Sequence, residues 1–172
     1  MRSFIFLTFL FLGCSYAQKE LKIDENKLIE FIKKNFKNYQ IFDKPIIKAK
    51  YKNLILVEFA SAGAATNYSV ILLYKNNNFQ ITKIKKDSKY EDAIFVIGVG
   101  GAGRYSADVK LGEKLKFYEY SIYGEDNDYC RANVYNFNNK AFILDEKESK
   151  IERENYCKEV CKMLGIESKA CD

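Results

Sequence analysis

The chain has 172 residues, with 28 Lys+Arg against 23 Asp+Glu for a formal net charge of +5, and contains no His, no Trp, one Pro, five Cys, 13 Tyr and 13 Phe. Without histidine there is no Ser-His-Asp triad, no Cys-His pair and no imidazole metal ligand. An apolar fraction of 48% is too high for a disordered chain, and the length suits one domain.

The first stretch predicts export. Arg2 precedes the uncharged run Phe4–Leu12, which is too short to span a bilayer but suits the apolar core of a secretory signal. Ser15 and Ala17 then offer the small-x-small pattern of a cleavage site. The expected organisation is a signal peptide over 1–17 and a single α+β domain over 18–172, in a periplasmic or extracellular location. A rival reading uses Cys14. Phe11-Leu12-Gly13-Cys14 resembles a degenerate bacterial lipoprotein box, in which that cysteine would carry the lipid anchor. No later segment is predicted to cross a membrane.

Asp24 is a good helix N-cap, followed by Leu28, Phe31, Ile32 and Phe36 on one side of a helical wheel. Pro45 closes the connection after this helix. Strands are expected at Asn53–Ala60, Tyr68–Tyr74, Phe79–Ile84, Ala93–Ile97, Tyr105–Leu111, Leu115–Tyr123, Arg131–Phe137 and Ala141–Asp145. Asn76-Asn77 and Asn138-Asn139 mark hairpin turns. Ile151–Leu164 returns to a 3.6 period, with Gly165 as its stop. The predicted fold is therefore α+β: an antiparallel sheet or sandwich of seven or eight strands, flanked by an N-terminal and a C-terminal helix and stapled by disulfides. A faint echo between Phe59–Ser69 and Ile97–Ser106 raises the question of an internal repeat.

Val96-Ile-Gly-Val-Gly-Gly-Ala-Gly103 is similar to the glycine-rich segment near the start of the tubulin-like bacterial cell-division GTPases. That resemblance would imply a phosphate-binding loop with a helix behind it. Here the following residues alternate as a strand, with Tyr105, Ala107, Val109 and Leu111 on one side, so the stretch is expected to be a sharp connection between strands. No cofactor is predicted. Glu125-Asp126-Asn127-Asp128 resembles a minimal calcium loop but lacks the spaced ligands and distal Glu of an EF-hand, and a solvated turn is expected instead. No metal site is assigned.

Once the signal is removed, Cys130, Cys157, Cys161 and Cys171 remain, an even number that reads as two disulfides in an oxidising compartment. Cys157 and Cys161 are one helical turn apart with nearly parallel Cβ vectors, so each should pair elsewhere. Cys130 with Cys157 and Cys161 with Cys171 is the expected pattern, with three connectivities open from sequence alone.

Lys48-x-Lys50-x-Lys52 and Lys83-x-Lys85-Lys86 give basic stripes at strand spacing, each on one solvent face. They fit either charged protection of sheet edges or steering of an acidic protein partner. Nucleic acid is not expected for an exported chain of this modest charge. The carboxylates of Glu125, Asp126 and Asp128, together with Glu58 and Asp108, are the acid–base groups that an enzyme of this composition would have to use. Phe117-Tyr-Glu-Tyr-Ser-Ile-Tyr123 puts Phe117 and Tyr123 on one face and Tyr118, Tyr120 and Ile122 on the other. One face must be core, and the second is expected to lie under a terminal helix. If it is instead a contact surface, Tyr118 and Tyr120 with Gly100, Gly101 and Arg104 form the candidate binding site, tyrosine being a favoured interface anchor. The function expected is an exported non-catalytic binding protein, such as an inhibitor or immunity-type protein that occludes a partner. The alternatives are an envelope hydrolase acting through carboxylates and a lipid-anchored structural protein.

Overall fold

The computed structural model describes residues 22–39, 41, 43–60, 67–97, 104–123 and 129–165. The first helix, α1 (Glu25–Asn35), begins where Asp24 accepts hydrogen bonds from the backbone N–H groups of Asn26 and Lys27 at 3.0 and 3.2 Å. This satisfies donors that a helix start leaves open. Leu28, Ile32 and Phe36 recur at helical spacing and are fully buried.

Eleven strands follow among the described residues, more than the seven or eight expected. They are β1 (Ile46–Tyr51), β2 (Leu54–Ala60), β3 (Asn67–Lys75), β4 (Asn78–Ile81), β5 (Lys83–Lys86), β6 (Lys89–Asp92), β7 (Ile94–Ile97), β8 (Arg104–Leu111), β9 (Lys116–Tyr123), β10 (Tyr129–Phe137) and β11 (Ala141–Leu144). The extra strands have separate causes. β6 is exposed at every residue and has no apolar alternation to betray it. β1 carries the first lysine stripe, but a bulge between Ile47 and Ala49 interrupts its register with β2. The segment Phe79–Ile84, expected as one strand, is broken at Thr82 into β4 and β5, which belong to different sheets.

The first sheet runs β1-β2-β3, and the far edge of β3 is shared by two strands. β4 pairs with its Leu72–Lys75 half and β7 with its Asn67–Val70 half. The second sheet runs β6-β5-β11-β10-β9-β8. Pairing is antiparallel throughout except between β5 and β11, which are parallel. The expectation of antiparallel pairing held for strands joined by short turns. β5 and β11 are joined instead by the whole excursion through β6 to β10, which leaves their relative direction unconstrained. The two glycine- and alanine-rich stretches also connect differently. One joins β2 to β3 within a sheet and the other joins β7 to β8 across sheets, so their echo is not a structural repeat.

The sheets face each other. Leu54, Leu56 and Ile71 from the first meet Ile84, Val109, Phe117 and Phe142 from the second, with Phe95 and Ile97 between them. α1 covers the outer face of the first sheet, packing Leu28, Ile32 and Phe36 on Ile55, Val57, Phe59, Val70 and Leu72. Burial on both faces explains why Leu54–Val57 is a continuous apolar run rather than an alternating one. The second helix, α2 (Glu146–Leu164), covers the outer face of the second sheet along β10. It starts five residues before the predicted Ile151, because Asp145 caps it by accepting the Glu148 N–H at 2.9 Å. It ends at Gly165, whose φ of 65° is the left-handed cap that favours glycine. The layer order is helix, sheet, sheet, helix.

α2 is tied down covalently. Cys130 on β10 and Cys157 on α2 form a disulfide with a Cα–Cα distance of 5.8 Å. Cys161 is also disulfide-bonded, and Cys171, its expected partner, lies outside the described residues. So do the predicted signal segment 1–17, Cys14 and the acidic turn 125–128.

Candidate functional site at the polar end of the inter-sheet space

Successive pairs along β9 and β10 set the character of the space between the sheets. Phe117 lies opposite Tyr135, Glu119 opposite Asn133, and Ser121 opposite Arg131. Because strand side chains alternate, all six point to the same face. The first pair belongs to the apolar core, with the Phe117 and Tyr135 rings stacked at 4.3 Å. One step along the strands the lining turns polar. Glu119 Oε2 accepts from the Tyr135 hydroxyl at 2.9 Å and from Asn133 Nδ2 at 3.0 Å. Burial, together with the neighbouring Glu119 carboxylate, holds the Tyr135 phenol well above the usual tyrosine range, so it stays a neutral donor.

This polar end is open. A cleft of about 630 Å³ lies against the second sheet and the start of α2, where Lys85, Lys86 and Arg131 alternate with Asp87, Glu119 and Glu146. A second, of about 300 Å³, shares Lys86, Glu119 and Arg131, adds Asp108, and is walled on its other side by Ile94–Ile97 of β7. An apolar wall from one sheet therefore faces a charged, hydrogen-bonding wall from the other.

The Tyr118 and Tyr120 face is the one under α2. Tyr120 is only 7% exposed, its hydroxyl donates to Glu152 at 2.8 Å, and its ring lies 4.4 Å from that of Tyr156. Burial and Glu152 together push its phenol above the ordinary range. Tyr118 stacks beside it at 6.2 Å and is half-buried. Its ring lies over Gly112, where a Cβ would come within 2.6 Å of Tyr118 Cε2, so the close approach depends on glycine. Arg104 opens β8, while Gly100 and Gly101 lie outside the described residues.

Glu58 and Asp108, among the carboxylates considered for catalysis, have other partners. Glu58 pairs with Lys48 at 3.1 Å, and the Asp108 carboxylate accepts the N–H of Val109 at 2.8 Å. The basic stripes are exposed and partly paired, Lys83 with Asp92 at 2.6 Å and Lys86 with Glu91 at 3.6 Å. Among the described residues, no group of three or more Cys, Asp or Glu is placed to hold a metal ion, and no helix is long and apolar enough to cross a membrane.

Glu119, Arg131, Asn133 and Tyr135 were not picked out from the sequence. A signal was present in Arg131-x-Asn133-x-Tyr135 interleaved with Cys130-x-Ala132-x-Val134. If the small and apolar set packs under a helix, the polar set must face the other sheet.

Comparison with known protein families, with curated proteins and with solved structures finds no match to this chain.

Proposed function

We propose that the chain is an exported, non-catalytic binding protein of the envelope or extracellular space, and that it engages a protein partner through the polar inter-sheet cleft. The observation that carries this reading is the Glu119–Tyr135–Asn133 network on an inward-facing sheet surface. Polar groups at such positions are less favourable than apolar packing unless their hydrogen bonds are met. Here Tyr135 and Asn133 hold Glu119 in one geometry, and Lys86 and Arg131 stand beside it in an open cleft. Preorganised polar groups against an apolar wall are the composition of a recognition site. The disulfide between Cys130 and Cys157 and the apolar run Phe4–Leu12 support an oxidising, extracytoplasmic setting. A net charge of +5 favours an acidic partner through steering of encounter. An inhibitor or immunity-type role, in which the cleft rim seals a partner's active site, is the sharper form of the proposal.

The test is capture of a partner from native envelope and culture fluid under non-reducing conditions, with the protein tagged at its C-terminus. The partner should be retained by the wild type and lost by the double variant Lys86→Glu, Arg131→Glu. Retention of the same partner by that variant would remove the cleft from the interface.

A further inference from the structure

We infer that the outer edge of β4 is a self-association surface, on which a second copy of this chain adds its own β4 antiparallel about a two-fold axis at Gln80. No residue of β4 lines either cleft, so the inference stands apart from the cleft reading.

The register decides which groups β4 offers. Asn76 and Asn77 make a two-residue turn, so Lys75 and Asn78 close it as a hydrogen-bonded pair. At the other end of β4 the Thr82 N–H donates to the Ile71 carbonyl at 3.0 Å. Counted from either end, antiparallel alternation makes Leu73 and Gln80 the hydrogen-bonded pair between them. Phe79 and Ile81 therefore direct their N–H and C=O groups away from β3. Among the described residues these groups have no backbone partner, and β4 pairs with β3 alone.

Unpaired strand edges invite pairing, and proteins blunt them with charges, bulges or proline. β1 is bulged between Ile47 and Ala49 and carries Lys48 and Lys50. β6 is Lys89-Tyr-Glu-Asp92, and β8 carries Asp108 and Lys110. Two edges have none of these devices, β4 with Asn78-Phe-Gln-Ile81 and β7 with Ile94-Phe-Val-Ile97. β7 opens on charged side chains of the second sheet, Lys86, Asp108, Glu119 and Arg131. β4 is the undefended edge that lies outside that charged cleft.

The occupant follows from the strand itself. Pairing centred on Gln80 sets Phe79 opposite the partner subunit's Ile81, and Ile81 opposite the partner subunit's Phe79. The outward N–H groups of each copy then meet the outward carbonyls of the other. Phe79 and Ile81 are half-buried on the α1 side, where the Phe79 ring lies 5.7 Å from Phe31 and 4.8 Å from Tyr74. The cross-pairs extend that apolar surface. On the opposite side the exposed Gln80 meets the partner subunit's Gln80 as a non-hydrogen-bonded pair, where side chains come closest, and an amide both donates and accepts. One uncharged strand is thus complementary to its own copy, as a two-fold interface requires. Two four-residue strands bury less than the ~1,200 Å² of stable complexes, and a net charge of +5 opposes self-association. The dimer is therefore weak and tightens with salt.

The probe is the disulfide-intact protein itself, measured by sedimentation velocity over a concentration series at about 0.15 M salt. The expected result is a monomer–dimer equilibrium with a Kd of about 10–100 μM. Gln80→Lys and Gln80→Glu each set like charges face to face and should weaken it about tenfold or more. An equimolar mixture of the two should restore a dimer, because opposite charges then meet across the axis. Gln80 is exposed, so both variants should fold; Gln80→Arg and Gln80→Asp replace either one that does not. A wild type that stays monomeric up to about 1 mM overturns the inference. So does a dimer that survives both variants, which places the contact on another surface. A dimer that both variants dissolve and their mixture does not restore overturns the pairing at Gln80.

Discussion

Thr82 donates twice to the carbonyl of Ile71, from its backbone N–H at 3.0 Å and from its hydroxyl at 2.8 Å. The Thr82 carbonyl in turn accepts from Ala93 N–H at 2.9 Å, and Ala93 accepts from Ile71. Three chain segments meet at this point, where β4 leaves the first sheet to become β5 and β6 returns to it as β7. The junction fixes the fork in which the open edge of β7 lies. Thr82 is 4% exposed, so its hydroxyl has no access to water as an alternative partner.

Thr82→Val keeps the shape, removes one buried hydrogen bond and sets a methyl group against the Ile71 carbonyl. The expected loss is about 1–2 kcal/mol, with Thr82→Ser losing less because it keeps the hydroxyl. Urea titration of the oxidised protein measures both. A Val variant as stable as the wild type would show that the hydroxyl bond does not hold the corner.

Most of the frame was legible because its signals are local. Asp24 with apolar residues at helical spacing announces α1, and Asn76-Asn77 announces a tight turn because both residues take positive φ, 52° and 62°, which asparagine tolerates. Thr82 was not legible. Phe79 and Ile81 alternate, but Ile84 follows after three residues, and that slip of phase at Thr82-Lys83, where the strand breaks, is too short to distinguish from a continuous strand with one polar pair. The cleft was missed for a related reason. Arg131 and Asn133 look like the wet face of a half-buried strand, yet their neighbours Ala132 and Val134 are buried at 0% and 1% under α2. Alternation shows that two faces differ. Only the layer order, with a helix on one side and a sheet on the other, shows that the Asn133 and Tyr135 face looks into the molecule, with Arg131 exposed at its open end.

The Cys130–Cys157 bridge closes a separation of 27 residues. By restricting the unfolded chain it should contribute about 3.5 kcal/mol on the loop-entropy account. Cys130→Ala, Cys157→Ala is expected to lower the urea midpoint accordingly, without abolishing β10–α2 packing, because Ser149 still accepts the Val134 N–H at 2.8 Å. Mass measured before and after reduction and alkylation counts the bridges directly. Free Cys130 and Cys157 thiols in protein isolated without reductant would contradict the staple.

Stability should fall in alkali for an identifiable reason. Burial, then Glu152 and Glu119, hold the Tyr120 and Tyr135 phenols above the ordinary 10.0 of tyrosine. The unfolded chain releases these protons near that pH while the folded chain keeps them, so their contribution is complete below it and is lost as pH rises beyond it. Lys116 acts in the same direction, raised from 10.5 mainly by its hydrogen bond to Glu148. Glu25 is lowered from 4.5 by Lys44 and acts on the acid side, its contribution present above 4.5 and lost as pH falls. That pair is exposed, so the acid effect should be small. Urea midpoints through neutrality into alkali should be flat and then drop, and Tyr120→Phe, Tyr135→Phe should make the drop shallower. An unchanged slope would place the alkaline sensitivity elsewhere.

Tyr118 and Tyr120 are neighbours in one strand, yet their substitutions should differ sharply. Tyr120→Ala removes a ring packed on Tyr156 and strands Glu152 at the seam between β9 and α2, with an expected loss of about 3–5 kcal/mol. Tyr118→Ala removes a half-buried ring lying over Gly112 and should cost about 1 kcal/mol. Any loss of partner binding in Tyr120→Ala therefore carries a folding defect with it, whereas Tyr118→Ala leaves the frame able to report on contact. If Tyr118→Ala stays folded and still binds a partner that Lys86→Glu, Arg131→Glu releases, the interface lies between the sheets and not on the tyrosine face beneath α2. Equal and small losses from both tyrosine variants would show instead that α2 does not hold Tyr120 as the packing implies.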